Sequence, residues 1–196
     1  MTLHDQALQV RNIIEKCTPL STQSWEALSP LLRLRRIEKG DMIVREGQYY
    51  DMEIFVLDGI VRGFYASPDG QEANVVFVIG PDTAAHWGSR TAQGKSLIGY
   101  QAMKTTMIAE VHNEAFGNLM RQYSDIREFA FNVVFQGLQF KTMRERQLLT
   151  TSAETRYRSF LELYPGLEQE IPHYHIASYL GIRPVQLSRI RSSLAQ

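Results

Sequence analysis

The sequence has 196 residues, 44% hydrophobic and 21% charged, which is enough to bury a core in one domain or two small ones and unlike a disordered chain. Lysine plus arginine total 21 and aspartate plus glutamate total 21, so the net charge is zero; this excludes a uniformly basic coat for nucleic acid and leaves charge to be read by segment. One cysteine, Cys17, excludes an internal disulfide and any iron–sulfur or four-thiolate centre held by one chain. No apolar run approaches the roughly 20 residues needed to span a bilayer, and Met1 to Val10 lack a signal-peptide layout, so a cytoplasmic protein with no membrane contact is expected.

Along the chain, Leu8, Ile13, Ile14, Trp25, Leu28, Leu31 and Leu32, broken by Thr18-Pro19-Leu20-Ser21, predict short amphipathic helices. From Arg35 to about Val111 the period changes to short β-branched or aromatic runs: Met42–Val44, Ile54–Leu57, Val61–Tyr65, Val75–Ile79 and Met107–Val111. Gly40, Gly47, Asp58-Gly59, Pro68-Asp69-Gly70 and Gly80-Pro81 punctuate them, which predicts an antiparallel sandwich or roll of hairpins. The sharpest turn is Pro68-Asp69-Gly70, where proline presets φ and glycine supplies positive φ. After Asn113 the pattern is helical. Asp125 is the expected cap of a helix running to about Leu149, with Phe131, Val134, Leu138 and then Leu148 or Leu149 on one stripe. Some 25 residues make a helix about 37 Å long, more than a small roll can cover, so the stripe predicts either a core face or the seam of a homodimer. Ser152 to Tyr164 reads as a further helix stopped by Pro165-Gly166.

The tail carries the functional pattern. Ile176, Ala177 and Leu180 fall on one face of a short helix; Gly181 permits a left-handed turn residue, Ile182 plugs the turn, and Pro184 opens a second helix on which Leu187 and Ile190 resume the apolar stripe. This is helix-turn-helix spacing. On the second helix Arg183, Val185, Gln186, Ser188, Arg189 and Arg191 are the candidate DNA-contacting residues, with His173 beside them: arginine can pair guanine O6/N7, glutamine can pair adenine, and serine allows close approach. Residues 173–196 hold three arginines and no acidic residue, which favours phosphate contact. Arg156 and Arg158 are additional phosphate-contact candidates.

The whole chain resembles the Crp/Fnr family, the cyclic-AMP receptor protein and its relatives, in the short form ending at the recognition helix. The resemblance rests on Lys39-Gly40-Asp41, Arg45-Glu46-Gly47, Phe55-Val56-Leu57-Asp58-Gly59 with Val61-Arg62, Asp69-Gly70, Ser124-Asp125-Ile126, Ala153-Glu154-Thr155-Arg156, Ile176 to Ile182, and Leu187-Ser188-Arg189-Ile190, in that order. It implies an α+β chain: an effector domain at 1–124 built as a cyclic-nucleotide-binding-type β-roll (a double-stranded jelly roll), a dimerisation helix at 125–149 and a helix-turn-helix DNA-binding domain at 150–196. Phe131, Val134, Leu138 and Leu149 are the expected dimer residues. Double-stranded DNA and a second copy are the implied partners, with a small-molecule effector and RNA polymerase as further candidates.

Two departures qualify it. Cyclic-nucleotide binders of the family carry a Gly-Glu pair and an Arg-Ser-Ala triplet that hold the ribose and the cyclic phosphate. Here the stretch reads Gly80 to Gly88 and then Gly94 to Gly99, with neither the carboxylate nor the arginine, so a buried phosphate would lack partners. Cyclic AMP is therefore not the expected effector, no cofactor is assigned, and Trp87, Arg90, Lys95 and Tyr100 are the pocket candidates. Lys141 and Thr142 fall where family members contact the base. In the recognition helix, Val185 replaces the glutamate that many relatives use to accept from cytosine N4, so the operator cannot be borrowed.

Other signals are weaker. Gly88 to Ser96 resembles a P-loop, but five residues separate its glycines where four are required. His173 and His175 read as solvated or phosphate-facing rather than as metal ligands, Cys17 as a half-buried structural thiol, and Arg144-Glu145-Arg146 as a solvated helix face. No nucleophile elbow or acid–base constellation supports an enzyme. The competing reading is a β-roll that serves only as a small-molecule or protein-interaction sensing module, its DNA readout weakened by Val185.

Overall fold

The structure is a computed structural model and describes residues 3–84 and 86–194, with the side chains of Leu3, His4, His86 and Trp87 outside the description. Helices α1 (Leu3–Glu15) and α2 (Thr22–Leu28) precede eight strands: β1 (Arg33–Ile37), β2 (Met42–Val44), β3 (Met52–Asp58), β4 (Ile60–Ala66), β5 (Glu72–Ile79), β6 (Asp82–Thr83), β7 (Gly99–Ala102) and β8 (Thr106–His112). Then come α3 (Asn113–Gln122), α4 (Ser124–Thr150), α5 (Ala153–Leu163), α6 (Leu167–Glu170), α7 (His173–Leu180) and α8 (Pro184–Leu194).

The strands form two antiparallel four-stranded sheets, β1-β8-β3-β6 and β2-β7-β4-β5. Their inner faces share one core in which Ile54, Val56, Val61, Val78, Tyr100 and Ile108 are buried. Strand alternation sends the neighbours Phe55, Leu57, Ala109 and Val111 to the opposite face of the first sheet, where α1, α2, α3 and the first turns of α4 cover them. The second sheet is covered in the same way by the C-terminal helices: Ile60, Phe77 and Met103 pack with Tyr157, Phe160, Tyr164, Leu180 and Leu187. The β-roll therefore lies between two helical layers, which is why β3 and β4 read as nearly unbroken apolar runs.

The turn chemistry follows the sequence. Gly59 joins β3 to β4 at φ +103, and a Cβ there would lie 2.4 Å from Thr106 Oγ1, so only glycine fits both the conformation and the space. Ser67 to Gln71 closes the β4–β5 hairpin around Gly70. Asp125 departs from its expected role. Tyr123 holds the N-cap position of α4, and the Asp125 carboxylate instead accepts from Ser21 N–H at 2.9 Å and Ser24 Oγ–H at 2.6 Å, tying α4 to the start of α2. Ser152 caps α5 by accepting from Thr155 N–H.

Candidate DNA interface and effector cavity

Helix α7 ends at Gly181, whose φ of 66 closes the turn while its N–H returns to Ala177 and Ser178 carbonyls. Ile176, Ala177, Leu180 and Leu187 are buried where α7 crosses α8. This packing turns the polar side of α8 outward: Val185, Gln186, Ser188 and Arg189 are exposed, as is Arg183 just before the helix. Arg183 and Arg189 make no ion pair among the described residues, so both guanidiniums are free to donate. Arg191 differs. It donates to Glu168 Oε1 at 3.1 Å and lies 3.1 Å from His173 Nδ1, so its charge and His173 are spent within the helical layer. Arg156 is likewise turned inward, donating to the Leu180 carbonyl at 2.9 Å, and Arg158 pairs with Glu154 at 2.9 Å.

Two residues read as solvated are buried. Arg144 stacks 3.7 Å over the Tyr179 ring and donates to the Tyr179 carbonyl, joining α4 to α7. His175 is 6% exposed and packs into the β4–β5 hairpin rather than facing phosphate. Its Nδ1 lies 3.1 Å from Asn74 Nδ2 and 3.3 Å from Arg62 Nη1, and Asn74 Nδ2 also donates to the His175 carbonyl at 3.0 Å. Arg62, 3% exposed, is completed by Glu72 at 2.6 Å and Gln101 Oε1 at 2.7 Å. Burial, then the Arg62 charge, pushes the His175 ring down to about 4, so the imidazole is neutral at pH 7. Nothing in the local sequence marks this network, because its members lie a hundred residues apart in the chain.

A cavity of about 620 Å³ opens between the second sheet and α4. Its β-roll wall is Tyr65, Val75, Val76, Ala84, Ile98 and Tyr100, and its helical wall runs from Val133 to Leu149 with Lys141, Arg144 and Glu145 as the charged groups. Of the expected pocket residues, Tyr100 and Lys141 line it. The Tyr100 hydroxyl donates to the Ala84 carbonyl at 3.0 Å, and burial pushes its pKa up to about 12. Arg90 does not line it: a buried carboxylate, Glu53, draws the guanidinium to the other side of the roll, where it also donates to Asn113 Oδ1 at 2.8 Å. Lys95 sits in the loop bridged to Tyr49, and Thr142 turns its hydroxyl back to the Leu138 carbonyl. The Trp87 side chain lies outside the described residues. Among the described residues, the β-roll wall around Ala84 and Ile98 carries no cation.

Helix α4 is 27 residues long, about 40 Å, and leaves an apolar stripe uncovered. Phe131, Leu138 and Leu149 are 66%, 62% and 77% exposed, with Val134 and Phe135 between them. Val134, Leu138 and Leu149 also border the cavity, so stripe and cavity are continuous. Among the described residues no helix is long and apolar enough to cross a membrane, and no three His, Cys, Asp or Glu side chains gather as a metal site.

No protein-family profile matches the chain. The transcriptional activator protein Anr of Pseudomonas protegens is 26% identical to it over 204 aligned positions, covering 92% of this chain and 79% of Anr. FixK2 of Bradyrhizobium japonicum has a similar structure, with a TM-score of 0.75 at 16% identity over 84% of each chain. A structure from Eubacterium rectale described as a transcriptional regulator of the crp/fnr family gives a TM-score of 0.70 at 20% identity, over 87% of this chain and 82% of that one. In motif order, in sequence likeness to Anr and in fold, this chain is similar to regulators of the Crp/Fnr type.

Proposed function

We propose that the chain works as a cytoplasmic homodimer that reads DNA through α8 and answers to a small molecule held between the β-roll and α4. In this reading residues 1–124 form the effector domain, 125–149 the dimer helix and 150–196 the DNA-binding domain. The observation that carries it is the pairing of two uncovered surfaces: an exposed arginine- and glutamine-bearing helix, and an apolar stripe with no intrachain cover. Two stripes laid together bury each other and bring two copies of α8 to one side, as two half-sites about 34 Å apart require. Arg183, just before α8, and Arg189 on it supply phosphate and guanine contacts and Gln186 can pair adenine, while Val185 can meet a thymine methyl.

The cavity favours an effector with an apolar body. Apolar and aromatic side chains make most of its wall, and the cations that line it, Lys141 and Arg144, sit on α4 rather than on the β-roll side. RNA polymerase is the further partner that a role in activation would require. Selection of the full-length dimer against random duplexes tests the DNA reading. A recovered two-fold symmetric site whose affinity falls steeply with salt supports it, and uniform weak binding to every sequence favours a sensing module without base readout.

A further inference from the structure

Strand β5 breaks its own alternation at one point. Gly63 of β4 pairs with Val76 and Phe64 with Asn74, leaving Val75 as an extra, unpaired residue. In a regular strand Val75 and Val76 would point to opposite faces. With the bulge, both line the cavity, while the flanking Asn74 and Phe77 both reach the C-terminal helices. The strand that walls the cavity is thus also the one that holds the helix-turn-helix.

The hold is polar as well as apolar. Asn74 uses its amide on two atoms of His175, its backbone N–H donates to Ser178 Oγ at 3.0 Å, and Ser178 Oγ–H donates to the Glu72 carbonyl at 2.9 Å. Phe77 adds its ring to Phe160, Tyr164 and Tyr179, with its N–H donating to the Tyr164 hydroxyl at 3.3 Å. All these bonds fall on α5, α7 and the turn after α5, and none on α8. The reading face stays free while the layer beneath it is fixed.

We propose that Asn74 and Arg62, two β-roll residues, are positioning residues for DNA binding: they seat α7 on the β4–β5 hairpin and so present α8 in one orientation. This rests on the DNA-binding reading above. A dimer must offer both recognition helices at fixed spacing, and a domain already seated loses less freedom on binding than one swinging on the α4–α5 junction. Orientation matters for a matched pair of half-sites and hardly at all for contact with phosphates anywhere on a duplex.

The test compares wild type with Asn74→Ala on the duplex that the wild type selects and on an unrelated duplex, using the full-length protein. The expected result is at least a tenfold loss of affinity for the selected site, binding to the unrelated duplex within twofold, and faster hydrogen exchange in α7. Asn74→Asp keeps the Arg62 contact but loses the donor to the His175 carbonyl, and is expected to fall between the two. If Asn74→Ala fails to fold, Ser178→Ala removes the milder pair of bonds and should show the same selective loss at smaller size. Equal losses on both duplexes, or no loss on either, overturn the inference. A wild type that selects no sequence overturns the DNA-binding reading itself, a different result from a selective wild type matched by its variants.

Discussion

The side-chain amide of Asn74 holds His175 at two atoms, lying 3.1 Å from ring Nδ1 and 3.0 Å from the backbone oxygen. Because Arg62 Nη1 also points at Nδ1, from 3.3 Å, two donors face one ring nitrogen, which must carry a lone pair. The neutral ring is thereby part of the structure, and the contact between β-roll and helix-turn-helix becomes sensitive to acid.

The sign of that sensitivity follows from the direction of the shift. A ring held at about 4 in the folded chain, against an ordinary 6.5, contributes its full stability above pH 6.5 and loses it as the pH falls from 6.5 towards 4, where the unfolded chain binds the proton first. The ring faces Arg62 and, behind it, Glu72, whose carboxylate softens the repulsion. We expect the seating of α7 to weaken by about 2 kcal/mol across this window. Thermal unfolding of wild type and His175→Gln between pH 7.5 and 4.5 checks it: the wild type should lose more than the variant, and parallel curves would refute the assignment.

Arg189 and Arg191 lie two residues apart on α8 but have different environments. Arg189→Ala should cost about 1–3 kcal/mol at one base pair per half-site and relax preference there, because its guanidinium is exposed and uncommitted. Arg191→Ala should leave base preference intact and lower the melting temperature slightly, since it removes the contacts to Glu168 and His173. Binding-site selection with each variant separates the two; altered preference in Arg191→Ala would contradict this division.

Leu138→Lys places a charge in the middle of the α4 stripe without disturbing the folded subunit, because the side chain is 62% exposed. Its association should weaken by about 3 kcal/mol, roughly a hundredfold in the dissociation constant. Sedimentation over a range of concentrations should show dimer for wild type and monomer for the variant. A wild type that is monomeric throughout would remove the basis for paired recognition helices.

Cyclic AMP should not bind with a micromolar or tighter dissociation constant. Ala84 and Ile98 give the β-roll side of the cavity an apolar surface, and the one arginine of that segment, Arg90, is bound to Glu53, so a buried phosphate would lack a partner there. Titration calorimetry with the full-length protein measures this directly. Arg90→Ala should affect folding stability, by removing the cation from a buried carboxylate, rather than any ligand affinity.

The linear sequence determined the elements whose signal is local. Short β-branched and aromatic runs mark β3, β4, β5 and β8, glycine and proline mark the turns at Gly59, Gly70 and Gly181, and the spacing from Ile176 to Ile190 marks the helix-turn-helix, since each depends on neighbours within a few residues. Strand β1 escaped, with three arginines in Arg33-Leu34-Arg35-Arg36-Ile37, because its strand character comes from pairing with β8. The environments of four cationic or imidazole side chains were decided by the tertiary structure. Arg144, Arg156, Arg191 and His175 have the composition of a solvated or DNA-facing surface, yet each is committed to a carbonyl, a carboxylate or a hairpin far away in the chain. A side chain's charge is written in the sequence; what neutralises it depends on which distant segments the hydrophobic layers bring together.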